Sequence, residues 1–334
     1  GTAFIDTALN DLLLSGAVVP DPHIKISHPL GVVRQNDKLR LIYDARNVNT
    51  YLRETPFKYE SLDELPDILR PNDHLFTVDV SSAYHHIHLH DDSQPYVGFT
   101  WRGTRYRYRV CPFGLKSIPF VYTKLMKELI GHWRRSGIRV LPYIDDALFA
   151  VSGSTLENHL PLLQTVNKIL RDYWRAGLTL HPRKLDGVTP ATFKHFADFL
   201  GYEINTVTGR IAVKSARWAR LRDTFRRILA LHPAPIPARL LASAAGRASS
   251  TSHATGDFAR HGTRALTNIL LPLNDESHPL FGRWRSKFPL TSDALNCVQY
   301  WFSIDRYTHT STIWTIMHLP SATISALYGS DIID

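Results

Sequence analysis

The stretch LPYIDDALFA, residues 141–150, places two adjacent acids, Asp145 and Asp146, inside an otherwise apolar run. The segments on either side are typical of short buried strands, which predicts a β-hairpin with both acids in its tight turn. Aspartate is common in turns, so a solvated turn is the simpler interpretation of this segment alone. Two-residue hairpin turns favour glycine or asparagine, however, and burying ionised carboxylates is unfavourable unless they are paired or bind a metal ion. The pattern therefore raises the question of which positive charge lies opposite these acids.

A third acid, Asp79, interrupts another strand-like segment, LFTVDVSSAY at residues 75–84. Three carboxylates on short buried strands suit two divalent cations about 3.5–4 Å apart, the arrangement that catalyses phosphoryl transfer. Mg²⁺ fits, with Mn²⁺ as an alternative, because Mg²⁺ binds a few carboxylates and completes its shell with phosphates and water. The spacing of the acids alone leaves the reaction open.

Composition indicates a folded, basic chain. Its 334 residues are 44% hydrophobic and 21% charged, and the formal net charge is +9. The length suggests roughly two domains, and the positive charge favours a polyanionic partner, nucleic acid first. The two cysteines, Cys111 and Cys297, are too few for a disulfide framework or a thiolate metal site. Neither a membrane-spanning run nor a signal peptide is visible, so we expect no membrane partner and an intracellular location, cytoplasm or nucleus, rather than secretion.

The remaining pattern predicts an α+β fold with an all-helical C-terminal part. An amphipathic helix is expected within residues 4–19, and hairpins are expected within residues 31–46 and 96–110, the second through an Arg102–Gly103 turn. Further helices are expected over residues 213–232 and 238–271.

Six segments carry a resemblance to a known family. They are KLRLIYDARNVN (38–49), FTVDVSSAYHHIHL (76–89), CPFGLKSIPFVYTKLM (111–126), LPYIDDALF (141–149), AGLTLHPRK (176–184) and FLGY (199–202). In order and approximate spacing they resemble the fingers hairpin and the palm motifs of reverse transcriptases, over about residues 24–271. PFGL, RGTRYRYRV and AGRASSTSHATGDFARHGTRAL are most similar to retroelement polymerases of the tyrosine-recombinase (DIRS) type. VDVSSAYHHIHLH is also similar to hepadnaviral polymerase, the nearest competing subfamily.

The resemblance implies a right-hand polymerase, with an antiparallel palm sheet backed by helices. A connection segment would lead to a ribonuclease H domain, whose acids are not assembled here: Asp331 and Asp334 lie at the end of the chain. The implied boundaries are 1–75 and 92–112 for the fingers with the N-terminal helix, 76–91 and 113–206 for the palm, 207–272 for the thumb and 273–334 for the connection.

The resemblance also implies roles for the acids. Asp79 and Asp145 would bind two Mg²⁺ ions with the help of the Val80 carbonyl, and Asp146 would be the supporting third acid. Lys184 matches a motif lysine proposed to protonate the leaving pyrophosphate.

The nucleotide site follows in the same way. Arg40 matches the fingers arginine that binds the triphosphate, and Arg34 is a weaker match for a lysine in the same hairpin. Tyr84 would lie under the incoming sugar, where its ring leaves no space for a 2′-hydroxyl. Gly114 and Lys116 would belong to the loop along the incoming base pair.

Other segments would contact the primer. Phe199, Leu200, Gly201 and Tyr202 would hold the primer end. The arginines of the first thumb helix either form a charged solvent face or follow the phosphate backbone without reading bases; they are Arg217, Arg220, Arg222, Arg226 and Arg227. Phe113 stands where lentiviral enzymes have glutamine, which removes one side-chain contact to the sugar.

The expected function is an RNA-directed DNA polymerase of a retroelement. It would add deoxynucleotides from deoxynucleoside triphosphates to a primer 3′-hydroxyl on RNA and DNA primer-templates. Two alternatives stay open. An RNA-dependent RNA polymerase shares the palm and the metals but favours a small or polar residue in place of Tyr84. A nucleic-acid-binding relic without chemistry usually loses its metal acids, and all three are present here.

Overall fold

The structure is a computed structural model that describes residues 1–35, 38–152, 159–307 and 311–313. The hairpin loop residues Asn36 and Asp37, the acids Asp331 and Asp334, and much of the predicted connection lie outside these ranges. The chain divides into two units: the first is Gly1–Ser61, Val78–Phe149 and Asn158–Val188, and the second is Leu62–Thr77, Ala150–Glu157 and Thr189–Asp334. These limits do not coincide with the implied fingers, palm and thumb boundaries, which stay predictions.

The described chain contains both helices and strands. The helices are α1 Thr2–Leu14, α2 Arg46–Asn49, α3 Leu65–Ile68, α4 Ile118–Arg135, α5 Leu160–Arg175, α6 Ser215–Leu231, α7 Ala238–Ser249, α8 Ser252–Thr255, α9 Phe258–His261, α10 Arg264–Asn274 and α11 Ser292–Ser303. The strands are β1 Val18–Pro20, β2 Ser27–His28, β3 Leu30–Gln35, β4 Lys38–Tyr43, β5 His74–Asp79, β6 Gly98–Trp101, β7 Thr104–Tyr108, β8 Arg139–Tyr143, β9 Asp146–Val151, β10 Phe196–Phe199, β11 Tyr202–Asn205, β12 Arg210–Val213, β13 Ile236–Pro237, β14 Lys287–Phe288 and β15 Ser311–Thr312.

The sheets are small and mainly antiparallel. In the first unit β1, β7, β6 and β2 form one sheet in that order, with only the β2–β6 pair parallel, and β3 pairs with β4. Strand β9 lies between β5 and β8 in a separate sheet that carries the three acids at its end. In the second unit β10, β11, β12 and β15 form an antiparallel sheet.

Two predicted hairpins are confirmed, and the N-terminal helix is shorter than predicted. Strands β6 and β7 turn at Arg102 and Gly103, both at positive φ (47° and 80°), the conformation that matches the strand twist. The helix predicted within residues 4–19 ends at Leu14, because Gly16 takes a positive φ of 69° just beyond its end. Val18 and Val19, which are β-branched, then pair with β7.

The predicted helix over residues 238–271 is four helices in the structure. Gly256, at a φ of 59°, ends α8, and Gly262 follows α9. At Gly262 a Cβ atom would lie 2.9 Å from the Phe258 carbonyl oxygen, so glycine is required for this close approach. Trp301 of α11 donates its indole N–H to the Gly262 carbonyl (2.8 Å) and stacks on Phe225. The second unit therefore has its own aromatic core.

Trp133 is the centre of the core in the first unit. Its ring packs edge-on against Phe149 of β9 and lies 5.0 Å from the ring of Tyr173 of α5. Its indole N–H donates to the Asp172 carboxylate (3.1 Å), which also accepts from Lys168 (2.7 Å). Helices α4 and α5 are thereby held on the strand that begins with Asp146.

We expect Trp133→Ala to lower the free energy of unfolding by about 3–5 kcal/mol, because the substitution leaves a cavity and removes one of the hydrogen bonds to the Asp172 carboxylate. Trp174 on α5 is the matched control, since its side chain is 78% exposed whereas Trp133 is fully buried. Trp174→Ala should change stability by no more than about 0.5 kcal/mol. Chemical denaturation of both variants measures the difference; equal effects would contradict this description of the core.

Candidate active site

The turn between β8 and β9 differs from the predicted one by one residue. Its two central residues are Ile144 and Asp145, while Asp146 already begins β9. Ile144 has a φ of 54°, a left-handed conformation that is a genuine outlier for a β-branched residue. Such strain persists only where surrounding structure enforces it, and it is concentrated at functional sites. The shift places Asp145 at the tip and Asp146 at the strand end.

Backbone hydrogen bonds bring Asp79 to this turn. The N–H of Val80 donates to the Asp145 carbonyl (2.8 Å), so the end of β5 is joined to the turn. The Asp79 carbonyl accepts from the His181 N–H (2.9 Å), which joins β5 to the segment that leads to Lys184. Three segments distant in sequence thus meet around Asp79, Asp145 and Asp146, which we call the acid cluster.

Burial and neighbouring negative charge disfavour the charged forms of Asp145 and Asp146. Burial is the main reason that the pKa of Asp146 is raised. The pKa rises further through a hydrogen bond with Asp79 and through the nearby charges of Asp145 and Asp79. Burial also raises the pKa of Asp145, with the charge of Asp79 adding to it. Asp79 is only 5% exposed. The site therefore concentrates negative charge that solvent does not neutralise.

Lys184 supplies positive charge to the acid cluster. Its ammonium group contacts the Asp79 carboxylate directly. Burial opposes the charged form of Lys184, but the hydrogen bond to Asp79 and the charges of all three acids outweigh it, and the pKa of Lys184 is raised. The structure therefore brings together the four residues that the sequence proposes as catalytic.

The donor set fits a hard divalent cation. Among the residues that the structure describes, no three His, Cys, Asp or Glu side chains converge as an assembled metal site. The ligand chemistry nevertheless suits Mg²⁺, which prefers carboxylate and carbonyl oxygens. Burial raises the pKa values of Asp145 and Asp146, and neighbouring carboxylates add to this, so a bound cation would stabilise the charged forms of both acids.

The fingers hairpin places its two arginines on opposite faces. Arg40 pairs with Val33 and Arg34 pairs with Leu39 across β3 and β4, and adjacent pairs point to opposite sides of a sheet. The positive charge of Arg40 lowers the pKa of Asp145 against the effect of burial, so Arg40 acts on the acid cluster. Arg34 lies on the other face of the hairpin and stays a sequence prediction.

Tyr84 lies in an aromatic layer beside the acid cluster. Its ring is 4.8 Å from Phe113 and 5.6 Å from Tyr122, and only Phe113, at 50% exposure, opens widely to solvent. Burial raises the pKa of Tyr84 to about 12, with smaller contributions from Tyr59 and Asp145. The ring therefore forms a buried floor whose outer surface is Phe113.

Asn49 is a candidate residue that the sequence did not single out. Its side-chain amide donates to the Gly114 carbonyl (2.8 Å), and its side-chain oxygen accepts from the Lys116 N–H (3.0 Å). Gly114 has a φ of 110°, and a Cβ atom there would lie 3.0 Å from the Tyr43 carbonyl oxygen. Asn49 therefore joins the fingers hairpin segment to the loop that carries two predicted nucleotide contacts.

The four predicted primer contacts form a hairpin in the second unit. Leu200 and Gly201 are the turn between β10 and β11, with φ values of 49° and 83°. Phe199 and Tyr202 form the closing pair of the strands. Two positive φ values in succession define a tight hairpin turn.

Comparison with known proteins identifies the family. Residues 32–204, more than half of the chain, match the family described as reverse transcriptase (RNA-dependent DNA polymerase). The chain belongs to the reverse transcriptase family. The match covers every segment of the acid cluster and the fingers hairpin from Val32 onward.

Relatives of this reverse transcriptase domain are of retroviral and retrotransposon type. The chain is 29% identical over 162 residues to the Gag-Pro-Pol polyprotein of human T-cell leukemia virus 3 (strain 2026ND), covering 46% of this chain and 11% of that protein. It is 29% identical over 166 residues to the retrovirus-related Pol polyprotein from transposon 412 of Drosophila melanogaster, covering 50% of this chain and 12% of that protein. The chain thus spans about a tenth of the length of these polyproteins.

A solved reverse transcriptase shares the fold. The foamy viral protease-reverse transcriptase in complex with an RNA/DNA hybrid matches 93% of this chain and 37% of its own at a TM-score of 0.69 and 20% identity. The α+β architecture, with antiparallel sheets and helices, is that of right-hand polymerases, as predicted. None of the helices described here has both the length and the apolar composition needed to cross a bilayer.

Asn49→Ala should speed amide exchange at Lys116 by about 2- to 10-fold, because the Lys116 N–H loses its acceptor and one hydrogen bond contributes about 0.5–1.5 kcal/mol. Asn47 is on the same short helix, and its side chain is exposed. Asn47→Ala is therefore the control and should leave exchange at Lys116 unchanged. Hydrogen exchange read by mass spectrometry over residues 111–118 decides; no difference between the two variants would remove Asn49 from the site.

Proposed function

We propose that the chain is an RNA-directed DNA polymerase of a retroelement. It adds deoxynucleotides from deoxynucleoside triphosphates to a primer 3′-hydroxyl, using RNA and DNA templates. The observation that carries the proposal is the acid cluster, in which the ends of β5 and β9 and the Lys184 segment meet through Val80–Asp145 and His181–Asp79 hydrogen bonds. Membership of the reverse transcriptase family supports it, as does the RNA/DNA hybrid in the foamy viral complex.

The reaction is an in-line displacement. The primer 3′-oxygen attacks the α-phosphorus, the bond from that phosphorus to the bridging oxygen breaks, and pyrophosphate leaves. Two Mg²⁺ ions, when bound, stabilise the attacking and leaving oxygens. Asp79, Asp145 and the Val80 carbonyl are the residues that would hold them, with Asp146 in support.

The cationic side chains have separate tasks. Lys184 carries its proton on Nζ, since its pKa is raised by the acids, and it is the proposed donor to the leaving pyrophosphate. Arg40, exposed on β4, offers a planar guanidinium that binds phosphate oxygens in pairs. Its charge lowers the pKa of Asp145, so Arg40 is near enough to the acid cluster to support a triphosphate-binding role.

The subfamily is a finer proposal. Within the retroelement polymerases we place the chain nearest the DIRS type, because of the segments PFGL at residues 112–115 and RGTRYRYRV at residues 102–110. The second of these contains the turn and β7 of the β6–β7 hairpin. The hepadnaviral polymerases are the competing assignment.

Asp79→Asn and Asp145→Asn should each lower primer extension by about 10³-fold or more, because several kcal/mol of transition-state charge stabilisation depend on these carboxylates. Primer-template affinity should change little, since it comes mainly from basic groups spread over the binding surface. Asp11→Asn, at an exposed position of α1, is the matched control. Extension assays with Mg²⁺, together with fluorescence anisotropy for binding, make the measurement. Near-normal extension by either active-site variant would refute the metal-ligand assignment.

Tyr84→Val separates DNA synthesis from RNA synthesis. If the ring excludes a 2′-hydroxyl, its removal should raise ribonucleotide incorporation relative to deoxynucleotide incorporation by about 10- to 10³-fold, as expected when a clash of a few kcal/mol is relieved. Because Tyr84 is also buried, we expect a stability loss of about 2–4 kcal/mol. Single-nucleotide extension with matched ribo- and deoxynucleotides gives the ratio, and a thermal melt gives the stability.

The control for this substitution is Tyr51→Val, at a side chain that is 81% exposed. It should leave both the sugar ratio and the melting temperature at the wild-type level. A Tyr84 variant that loses stability but keeps the wild-type sugar ratio would assign the ring to the core alone and favour the RNA-polymerase alternative.

A further inference from the structure

Arg217 on α6 is half-buried, and its guanidinium binds two backbone carbonyls. Its guanidinium donates to the Leu200 carbonyl (3.2 Å) and to the Ser250 carbonyl (2.5 Å). It also lies over the ring of Tyr202, 4.8 Å from the ring centre. One side chain thus contacts the turn of the β10–β11 hairpin, its first β11 residue and the end of α7.

The Ser250 carbonyl is a shared acceptor. The Tyr202 hydroxyl donates to it (2.6 Å), as Arg217 does, so both lone pairs of this oxygen are used. Ser250 directly follows Ser249, the last residue of α7. We call Arg217, Tyr202 and the Ser250 carbonyl the hairpin junction.

The junction is closely packed around the turn. A Cβ atom at Gly201 would lie 2.8 Å from Arg217 Nη1, and the φ of 83° there already favours glycine. Leu200, with a φ of 49°, holds a conformation that is unfavourable for a residue with a Cβ atom. The hydrogen bond from Arg217 fixes the direction of the Leu200 carbonyl and so stabilises this conformation.

We propose that Arg217 is a positioning residue for the primer end. It fixes the Leu200–Gly201 turn to α6 and to the end of α7, and so sets where the hairpin holds the primer 3′-hydroxyl; the role rests on the proposed polymerase function. A planar guanidinium can donate in two directions and stack on a ring, whereas a lysine ammonium is a compact point charge. The geometry therefore requires arginine and not merely positive charge.

The alternative role, a direct phosphate contact, predicts a different pattern. A phosphate contact depends on charge, so Arg217→Lys would retain it, and Arg217→Gln would weaken primer-template binding and reduce its salt dependence by about one unit of slope. A positioning role predicts that Arg217→Lys and Arg217→Gln both slow nucleotide addition, and that primer-template affinity stays nearly unchanged in both.

The experiment measures the hairpin and the reaction separately on the full chain. In Arg217→Lys and Arg217→Gln, hydrogen exchange over residues 196–205 should rise by about 2- to 10-fold as the carbonyl hydrogen bonds are lost. The single-turnover rate of nucleotide addition should fall by about 10- to 100-fold, since a small misplacement of the reacting atom has this effect. The dissociation constants for nucleotide and primer-template should stay within about 2-fold of wild type, because a positioning residue contacts neither the triphosphate nor the primer-template phosphates.

Two further variants complete the test. Arg239→Lys, at an exposed position of α7, is the control and should match the wild type in every measurement. Tyr202→Phe removes only the hydroxyl of the junction, so it should show a smaller change of the same kind, and it keeps the test available if the Arg217 variants do not fold.

The outcomes separate the two proposals. Unchanged hairpin exchange in Arg217→Lys, or full activity despite faster exchange, would overturn the positioning role. A wild-type chain that extends no primer would instead overturn the polymerase function, whatever the exchange data show.

Discussion

The burial of Asp145 and Asp146 beside Asp79 is the constraint on which the candidate active site depends. Removal from water raises the pKa values of Asp145 and Asp146, so the folded chain holds these groups in an environment that disfavours their charge. Backbone hydrogen bonds from β5 to the turn and to the His181 segment hold the three acids together, and so does the contact of Lys184 with Asp79. The surrounding core, in which Trp133 of α4 packs against Phe149 of β9 and Tyr173 of α5, provides the rigidity that this requires.

The same constraint accounts for the unusual turn. A glycine or asparagine at residue 144 would adopt a positive φ with less strain, yet the chain has isoleucine there. Glycine would also give the turn more freedom, and the carboxylate of Asp145 would then be positioned less precisely. A stiff, β-branched residue forced into the left-handed region leaves the turn fewer conformations. We interpret the strain at Ile144 as part of what holds Asp145 beside Val80.

The sequence predicts the fold better than it predicts the contacts between its segments. Strand alternation and turn residues were enough for the β3–β4 and β6–β7 hairpins, since both are local. The predicted position of the turn between β8 and β9 was wrong by one residue. The rule that glycine is favoured at positive φ gives no reason to expect Ile144 in the turn. The role of Asn49 depends on a contact with residues 65 positions away, and no local pattern encodes such a pairing. Side-chain roles taken from the family resemblance, such as that of Arg34, remain predictions.

In the second unit, the pattern of charged residues likewise does not predict which contacts the side chains make. Net charge and the arginines of α6 favour a nucleic-acid surface, but a sequence cannot distinguish a cation that faces phosphate from one that serves the protein itself. Arg226 lies 3.6 Å from the Asp223 carboxylate, and Arg222 lies over the ring of Phe302. Arg217 donates to two backbone carbonyls and lies over the ring of Tyr202, so part of its hydrogen-bonding capacity serves the protein itself. A count of basic residues therefore overestimates the number of side chains available to the phosphate backbone, because hydrogen bonding within the protein, and not charge alone, decides where each guanidinium points.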